Sequence, residues 1–520
     1  MPTPQEKLAQ SLEALHELQA RGVAAIRSGA LSRTDRERLL ASGFLMEVMK
    51  GWYIPSRPEE AAGDSTAWYA SFWDFCGAYL TDRFGQEWCL SPEQSLSLHG
   101  GNRSVPRQLF VRAPKGGNKP LPLPHSTSLF DMRASLPARR KVVLLDGLRL
   151  FSISAALVGA SELFFRHAST DVRAAMAAVN DASDLLALLL EGGHSTIAGR
   201  IAGAFRSTGQ QKIADEIVRT MEKAGYTVRE SNPFADAPPA LLQPRDPSPY
   251  VNRVRLMWQA MREPVLATFS AAPGLPQNRD AYLEAVDDLY VRDAYHSLSI
   301  EGYRVSPALI ERVRSGTWNP DVNPQDRESR DALAARGYYD AFVSVKASVA
   351  KVLSGGNAGK IGQDDHRDWY RQLFGPSVTA GLIRASDLAG YRSGPVYIRR
   401  SKHVPPPREA VRDCMPVLFE LLAAEAEPAI RVVLGHFLFV YIHPYPDGNG
   451  RMGRFLMNLM LASGSYPWTI VPVERRGDYM AALEAASVGQ DIRPFARFLG
   501  ELVDARLHGQ GAPSVPTGGT

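Results

Sequence analysis

Twelve consecutive residues, His443-Pro444-Tyr445-Pro446-Asp447-Gly448-Asn449-Gly450-Arg451-Met452-Gly453-Arg454, bring together an imidazole, a carboxylate, a glycine-flanked turn and two guanidinium groups. Each suits chemistry on a phosphate. Glycines let a backbone approach a phosphate closely. A helix that starts at Gly448-Asn449-Gly450 presents unpaired N–H groups and the positive end of its dipole, which suits an anion. Arg451 and Arg454 lie three positions apart, so both can face that anion. Asp447 can hold a divalent cation against the same phosphates. His443 can accept a proton from an attacking hydroxyl.

Two apolar runs must position these groups. Val432–Ile442 precedes them and Phe455–Leu461 follows, both of helix-compatible length and composition. Pro444 and Pro446 forbid one continuous helix. The twelve residues are therefore expected to form a loop between two buried helices. A second stretch, Ser297-Leu298-Ser299-Ile300-Glu301-Gly302, closes a helix expected over residues 279–301, with Gly302 as its terminator.

The twelve-residue stretch resembles the Fic family signature, His-Pro-Phe-x-Asp/Glu-Gly-Asn-Gly-Arg-x-x-Arg, with Tyr445 in place of Phe. Ser297–Gly302 resembles that family's inhibitory motif, Ser/Thr-x-x-x-Glu-Gly/Asn, and lies ahead of the catalytic motif as in class II members. The resemblance implies a helical bundle spanning residues 251–508, with an inhibitory helix at 279–301. It also implies transfer of AMP from ATP, with Mg²⁺, to a Tyr, Ser or Thr hydroxyl of a protein target. His443 would be the base and Asp447 the metal ligand. Gly448, Asn449 (through its side-chain amide), Gly450, Arg451 and Arg454 would bind the phosphates. Ser297, Glu301 and Gly302 would form the inhibitory element, with Glu301 competing for Arg454. Residues 390–406 alternate like a β-hairpin ending in prolines. The resemblance makes this hairpin the flap, with Val396, Tyr397 and Ile398 docking the target by strand addition. His366, His403 and His436 are expected to be structural or solvated. Two alternatives remain: transfer of another nucleotide or phosphate-containing group, or a DNA-binding regulator whose Fic domain mainly binds nucleotide.

The N-terminal half reads differently. Residues 1–60 suggest two helices and a hairpin, a winged helix-turn-helix, with Arg33, Arg36 and Arg38 on or beside its recognition helix. Their eight basic and eight acidic side chains cancel, so net charge does not argue for DNA. Residues 101–141 carry nine Lys/Arg against one acid, Asp131, the strongest local excess in the chain. The wing Gly43–Ser56 and its continuation Leu90–Val111 resemble the antitoxin of type IV abortive-infection toxin–antitoxin pairs. That resemblance covers roughly residues 1–230 and implies a winged helix, a small α/β domain over 61–230, and operator DNA as a partner. The prolines of 231–250 suggest a linker, and residues 509–520 a disordered tail. The whole is expected to be mainly α.

The 520 residues suit two to four domains, and the net charge of +4 is too small to imply a partner. Cys76, Cys89 and Cys414 lack zinc spacing and suit a reducing compartment. With no signal-like N-terminus and no apolar run long enough to span a bilayer, the reading is a cytoplasmic protein, with homodimerisation open.

Overall fold

The structure is a computed structural model that describes residues 3–58, 64–238, 248–274, 278–318 and 330–515. Residues 239–247 of the expected linker and 516–520 of the expected tail lie outside the described residues. The chain divides into two compact units. Unit 1 comprises Met1–Arg253 together with Tyr397–Val404; unit 2 comprises Val254–Val396 and Pro405–Thr520.

Unit 1 opens with α1 (Pro4–Ala20), β1 (Ile26–Arg27), α2 (Arg33–Ala41), β2 (Leu45–Met49) and β3 (Trp52–Pro55). Ser32 caps α2 by accepting the Asp35 N–H. The strands form an antiparallel sheet in the order β1-β3-β2, and Leu15, Leu18, Leu39, Leu45 and Tyr53 share one core with them. The arginines of α2 are largely committed inside the unit. Arg36 donates to the Ser28 carbonyl at 2.7 Å and lies over the Tyr53 ring. Arg38 donates to the Lys7 carbonyl and the Ser11 hydroxyl. Arg33 alone projects outward, paired with Glu37.

An aromatic helix, α3 (Thr66–Phe84), fills the second core of unit 1 with Trp68, Phe72, Trp73 and Phe75. Against it packs a four-stranded mixed sheet, β4 (Cys89–Leu90), β5 (Gln108–Ala113), β7 (Thr127–Arg133) and β6 (Pro120–Leu123) in that order, β5 and β7 parallel. The basic excess of 101–141 is partly neutralised: Arg103 pairs with Asp146, and Arg140 and Lys141 meet Glu191. Six helices between Ile153 and Lys223 complete the unit.

Unit 2 is helical. Helices Pro428–Ile442 and Asn449–Ala462 are buried almost end to end; the first is apolar all round, as such burial requires, and the second buries two arginines and two asparagines with its apolar residues. Helices Arg330–Leu353, Ala358–Thr379 and Arg408–Ala424 surround them, and Arg279–Ile300 lies against Arg330–Leu353. Each fully buried Leu, Ile or Phe of the central pair contributes about 1.5–3 kcal/mol, so the loop between them hangs from a rigid frame. Among the described residues, no helix is long and apolar enough to cross a membrane.

The expected hairpin over 390–406 does not form; these residues are bends and turns. Arg400 adopts a left-handed conformation (φ 60°), which breaks the alternation a strand needs. The backbone groups of the segment also have other partners. The Arg400 N–H donates to the Thr66 hydroxyl, and the Lys402 carbonyl accepts the Val105 N–H at 2.8 Å. Tyr397 and Ile398 are thus counted in unit 1, and Val396 in unit 2.

Candidate active site

Helix Pro428–Ile442 ends on His443, whose φ of 53° places a non-glycine residue in the left-handed region. That conformation is unfavourable, and Arg392 holds it. The Arg392 side chain is buried and donates to the carbonyls of His443 (2.8 Å), Gly394 (3.2 Å) and Pro406 (2.5 Å), while its backbone N–H donates to Pro444 O. The sequence reading gave Arg392 no role. Its burial beside a loop rich in carbonyls was the missing signal, and that is visible only in three dimensions.

His443 Nδ1 lies 3.1 Å from the Val440 carbonyl. A carbonyl only accepts, so Nδ1 carries the proton and Nε2 keeps its lone pair. Burial pushes the imidazole pKa down to about 4, aided by the Arg392 charge and opposed by the hydrogen bond to Val440. His443 is therefore neutral at pH 7, as a base must be. Activity should stay level from about pH 7 down to about pH 5 and bend only toward about 4. A pH–rate profile of kcat/KM bending near about 6.5 would instead show a water-like imidazole.

Tyr445 anchors the loop. Its ring stacks on Tyr370 with centroids 3.9 Å apart and planes 8° from parallel. It is fully buried, and its hydroxyl has no hydrogen-bond partner among the described residues. An unsatisfied buried hydroxyl costs roughly 1–3 kcal/mol. Tyr445→Phe should therefore raise stability by about 1 kcal/mol, a melting shift of about 2–4 °C. A drop of that size in calorimetry would mean the hydroxyl is bonded in solution.

Gly448 opens helix Asn449–Ala462 in the left-handed region (φ 77°), and a Cβ there would meet Phe374 at 2.7 Å. Only glycine meets both conditions. Asn449 departs from its expected role. Its side-chain oxygen accepts the Tyr445 N–H (2.9 Å) and its amide donates to the Tyr445 carbonyl (2.8 Å), so the side chain ties the loop rather than facing an anion. Buried backbone groups must be paired, and Tyr445 claims the amide. What the helix start offers an anion is backbone N–H and the dipole.

Arg451 is buried, its guanidinium between the rings of Tyr303 (5.1 Å) and Phe374 (5.0 Å), with Nη2 3.7 Å from Asp447 Oδ2. The two rings fix it in place by cation–π attraction; neither was foreseen from sequence. Asp447 itself is exposed and accepts the Gly448 N–H. Among the described residues no cluster of three or more His, Cys, Asp or Glu could hold a metal ion. A lone exposed carboxylate beside a phosphate site nonetheless fits Mg²⁺, which keeps waters and takes one or two carboxylates plus substrate phosphates.

Helix Arg279–Ile300 ends against this loop. Gly302 (φ 90°) turns the chain out of it, and Arg476 donates to the Ile300 carbonyl. Arg454 is buried, and Glu301 Oε1 accepts from its Nη2 at 2.7 Å. Ser297 takes two further bonds from the same guanidinium, at its hydroxyl (2.9 Å) and its carbonyl (3.0 Å). Burial works against the Arg454 charge, but the Glu301 carboxylate outweighs it and raises the pKa. A Cβ placed on Gly450 would collide with Glu301 Oε1. The Glu301 carboxylate thus lies directly on the helix start where an anion would sit.

The structure therefore gathers His443, Asp447, Gly448, Asn449, Gly450, Arg451, Arg454, Ser297, Glu301 and Gly302 in unit 2. It does not gather Val396, Tyr397 and Ile398 into a hairpin. The three lone histidines are structural: His366 meets Tyr391, His436 meets Tyr479, and His403 is buried.

Residues 360–461 match the Fic/DOC family. Relatives include the protein adenylyltransferase fic-1 of Caenorhabditis elegans, 29% identical over 236 residues, 44% of this chain and 43% of that one. Protein adenylyltransferase Fic of Nematostella vectensis is 30% identical over 240 residues, 45% of this chain and 51% of that one. The chain thus spans about half the length of the curated relatives it matches. Among solved structures, Fic-1 from C. elegans aligns with 63% of this chain and 91% of its own at 19% identity and a TM-score of 0.35. A Fic-domain signalling protein from Bacteroides thetaiotaomicron aligns with 48% of this chain and 94% of its own at 15% identity and a TM-score of 0.34.

Proposed function

We propose that unit 2 is a protein adenylyltransferase that moves AMP from ATP to a side-chain hydroxyl of a target protein and is held inactive by Glu301. The observation that carries this reading is the Glu301–Arg454 contact over the start of helix Asn449–Ala462. A carboxylate seated on a helix N-terminus and on a buried arginine marks the place of another anion. The adenylyltransferase relatives support AMP as the group transferred.

The reaction is attack of a hydroxyl oxygen on the α-phosphorus, with pyrophosphate leaving. His443 Nε2 takes the hydroxyl proton as the O–P bond forms. The backbone N–H groups at Gly448–Gly450 and the Arg451 guanidinium hold phosphate oxygens. Arg454 fixes the γ-phosphate, and with it the direction in which the triphosphate lies. Asp447 would hold Mg²⁺, which neutralises phosphate charge when bound. Little covalent work falls to the protein, so positioning and charge stabilisation dominate. While Glu301 occupies Arg454, ATP can bind but its α-phosphate is not in line. Incubating the Glu301→Gly protein with ATP and a cell lysate tests the reading: a protein gaining the mass of one AMP is the expected product.

An operator-DNA role for α1–β3 is a separate proposal, and the internal hydrogen bonds of Arg36 and Arg38 leave it little to work with. A fragment of residues 1–230 that retards promoter DNA with a steep salt dependence would support it.

A further inference from the structure

The basic stretch of residues 101–141 has no part in the chemistry above. The structure puts its centre on the four-stranded sheet of unit 1. Along β5 and β7, Leu109, Val111, Leu129 and Asp131 are buried on the side of α3. The residues between them form the other face, as the period of two requires. There Phe110 stands opposite Phe130 in the parallel register, with ring centroids 5.8 Å apart. Phe110 is 45% exposed, and Phe130 is half-buried beside it. Cations stand at both ends of this pair. Arg107 is exposed just before β5, and Lys115 and Lys119 are exposed in the loop between β5 and β6. Among the described residues none of these three has an ion-pair partner. The one acid of the stretch, Asp131, is buried on the opposite face and paired with Arg83 at 2.7 Å.

We propose that this face binds single-stranded nucleic acid, with bases stacked on Phe110 and Phe130 and phosphates held by Arg107, Lys115 and Lys119. The site is independent of the transfer reading above. A single exposed phenylalanine is ordinary surface. Two in register, framed by unpaired cations, match a ligand that repeats a flat ring and an anion at every unit. Only an unpaired strand offers both at once, because in a duplex the base faces are stacked on one another. The charge is complementary as well, since the stretch turns its one acid to the other side of the sheet. A protein strand fits less well. Of the two edges of the sheet, β4 is two residues long, and β6 carries Pro120 and Pro122, which lack the N–H that a partner strand would pair with.

The test uses the full chain and three fluorescein-labelled probes of about 12 nucleotides: oligouridylate, oligothymidylate, and a duplex DNA. The single strands should bind with a Kd of about 1–100 µM, and more tightly than the duplex. Phe110→Ala should weaken single-strand binding roughly 5- to 100-fold, the range of one lost base stack, and Phe110→Trp should restore it. Lys115→Gln with Lys119→Gln should keep the stacking but flatten the slope of log K against log salt by about 1.4, at about 0.7 for each phosphate contact on a single strand. All three positions are exposed, and equal melting temperatures check that the sheet is kept. A stronger hold on the RNA or on the DNA single strand supports the site in either case and names the backbone it takes. Duplex bound as tightly as single strand, or Phe110→Ala without effect, would overturn the stacking platform. No binding of any probe at low salt would overturn the site altogether.

Discussion

Glu301→Gly should raise nucleotide transfer roughly 10- to 100-fold over the wild-type chain, the factor that lowering the barrier by about 1.4–2.7 kcal/mol gives. Both the Glu301 carboxylate and a γ-phosphate are anions, and Arg454 offers one planar fork of donors. In the structure Nε and Nη2 of that fork are engaged by Ser297 and Glu301. Removing Glu301 frees one arm while the two bonds to Ser297 keep the guanidinium oriented. The gain should appear in kcat, because inhibition turns the α-phosphate away without evicting ATP. Glycine is tolerated at this helix end, and Glu301 has ordinary backbone angles there (φ −82°). The substitution does cost stability, since Arg454 stays buried without its carboxylate. ATP should therefore raise the melting temperature of the variant more than that of the wild type. Adding Arg454→Ala should cancel the gain in rate, since both residues act through one contact. Equal rates for wild type and a folded Glu301→Gly protein would reduce the contact to a structural ion pair.

His443→Ala in the Glu301→Gly background should cut transfer by about 10²–10⁴-fold, the range of general-base catalysis. ATP affinity should be nearly unchanged, because the phosphates are held by Arg451, Arg454 and the helix start. The left-handed backbone at position 443 costs alanine about 1–2 kcal/mol. His443→Asn is the fair control, since asparagine tolerates that conformation and cannot take the proton at neutral pH. Both variants should be equally inactive. Full activity in either would move the base elsewhere.

Much of unit 2 was legible because its signals are local. Pro444 and Pro446 interrupt two apolar runs, and helices end and begin where they must. Gly302 and Gly448 both take the positive φ that marks a helix boundary. The failures share a cause. The alternation around Val396–Lys402 looks like a hairpin within a short window, but the partners of that backbone are Thr66 and Val105, some three hundred residues earlier. Asn449 sits in a phosphate motif, yet its amide is consumed by the Tyr445 backbone four residues away, a demand created by burial. Arg36 and Arg38 read as exposed cations on a recognition helix. A sequence does not distinguish an arginine facing solvent from one donating to the Ser28 or Lys7 carbonyl. Arg392, Tyr303 and Phe374 carry no motif at all. They matter because of what they touch.

The most direct measurement follows the label. The Glu301→Gly protein is incubated in parallel with ATP labelled at its α-phosphate and ATP labelled at its γ-phosphate, each with lysate and magnesium. The account predicts that protein bands take up the α-label and not the γ-label, and that His443→Ala abolishes the uptake. Label arriving from the γ-position, or no protein label with ATP demonstrably bound, would contradict it.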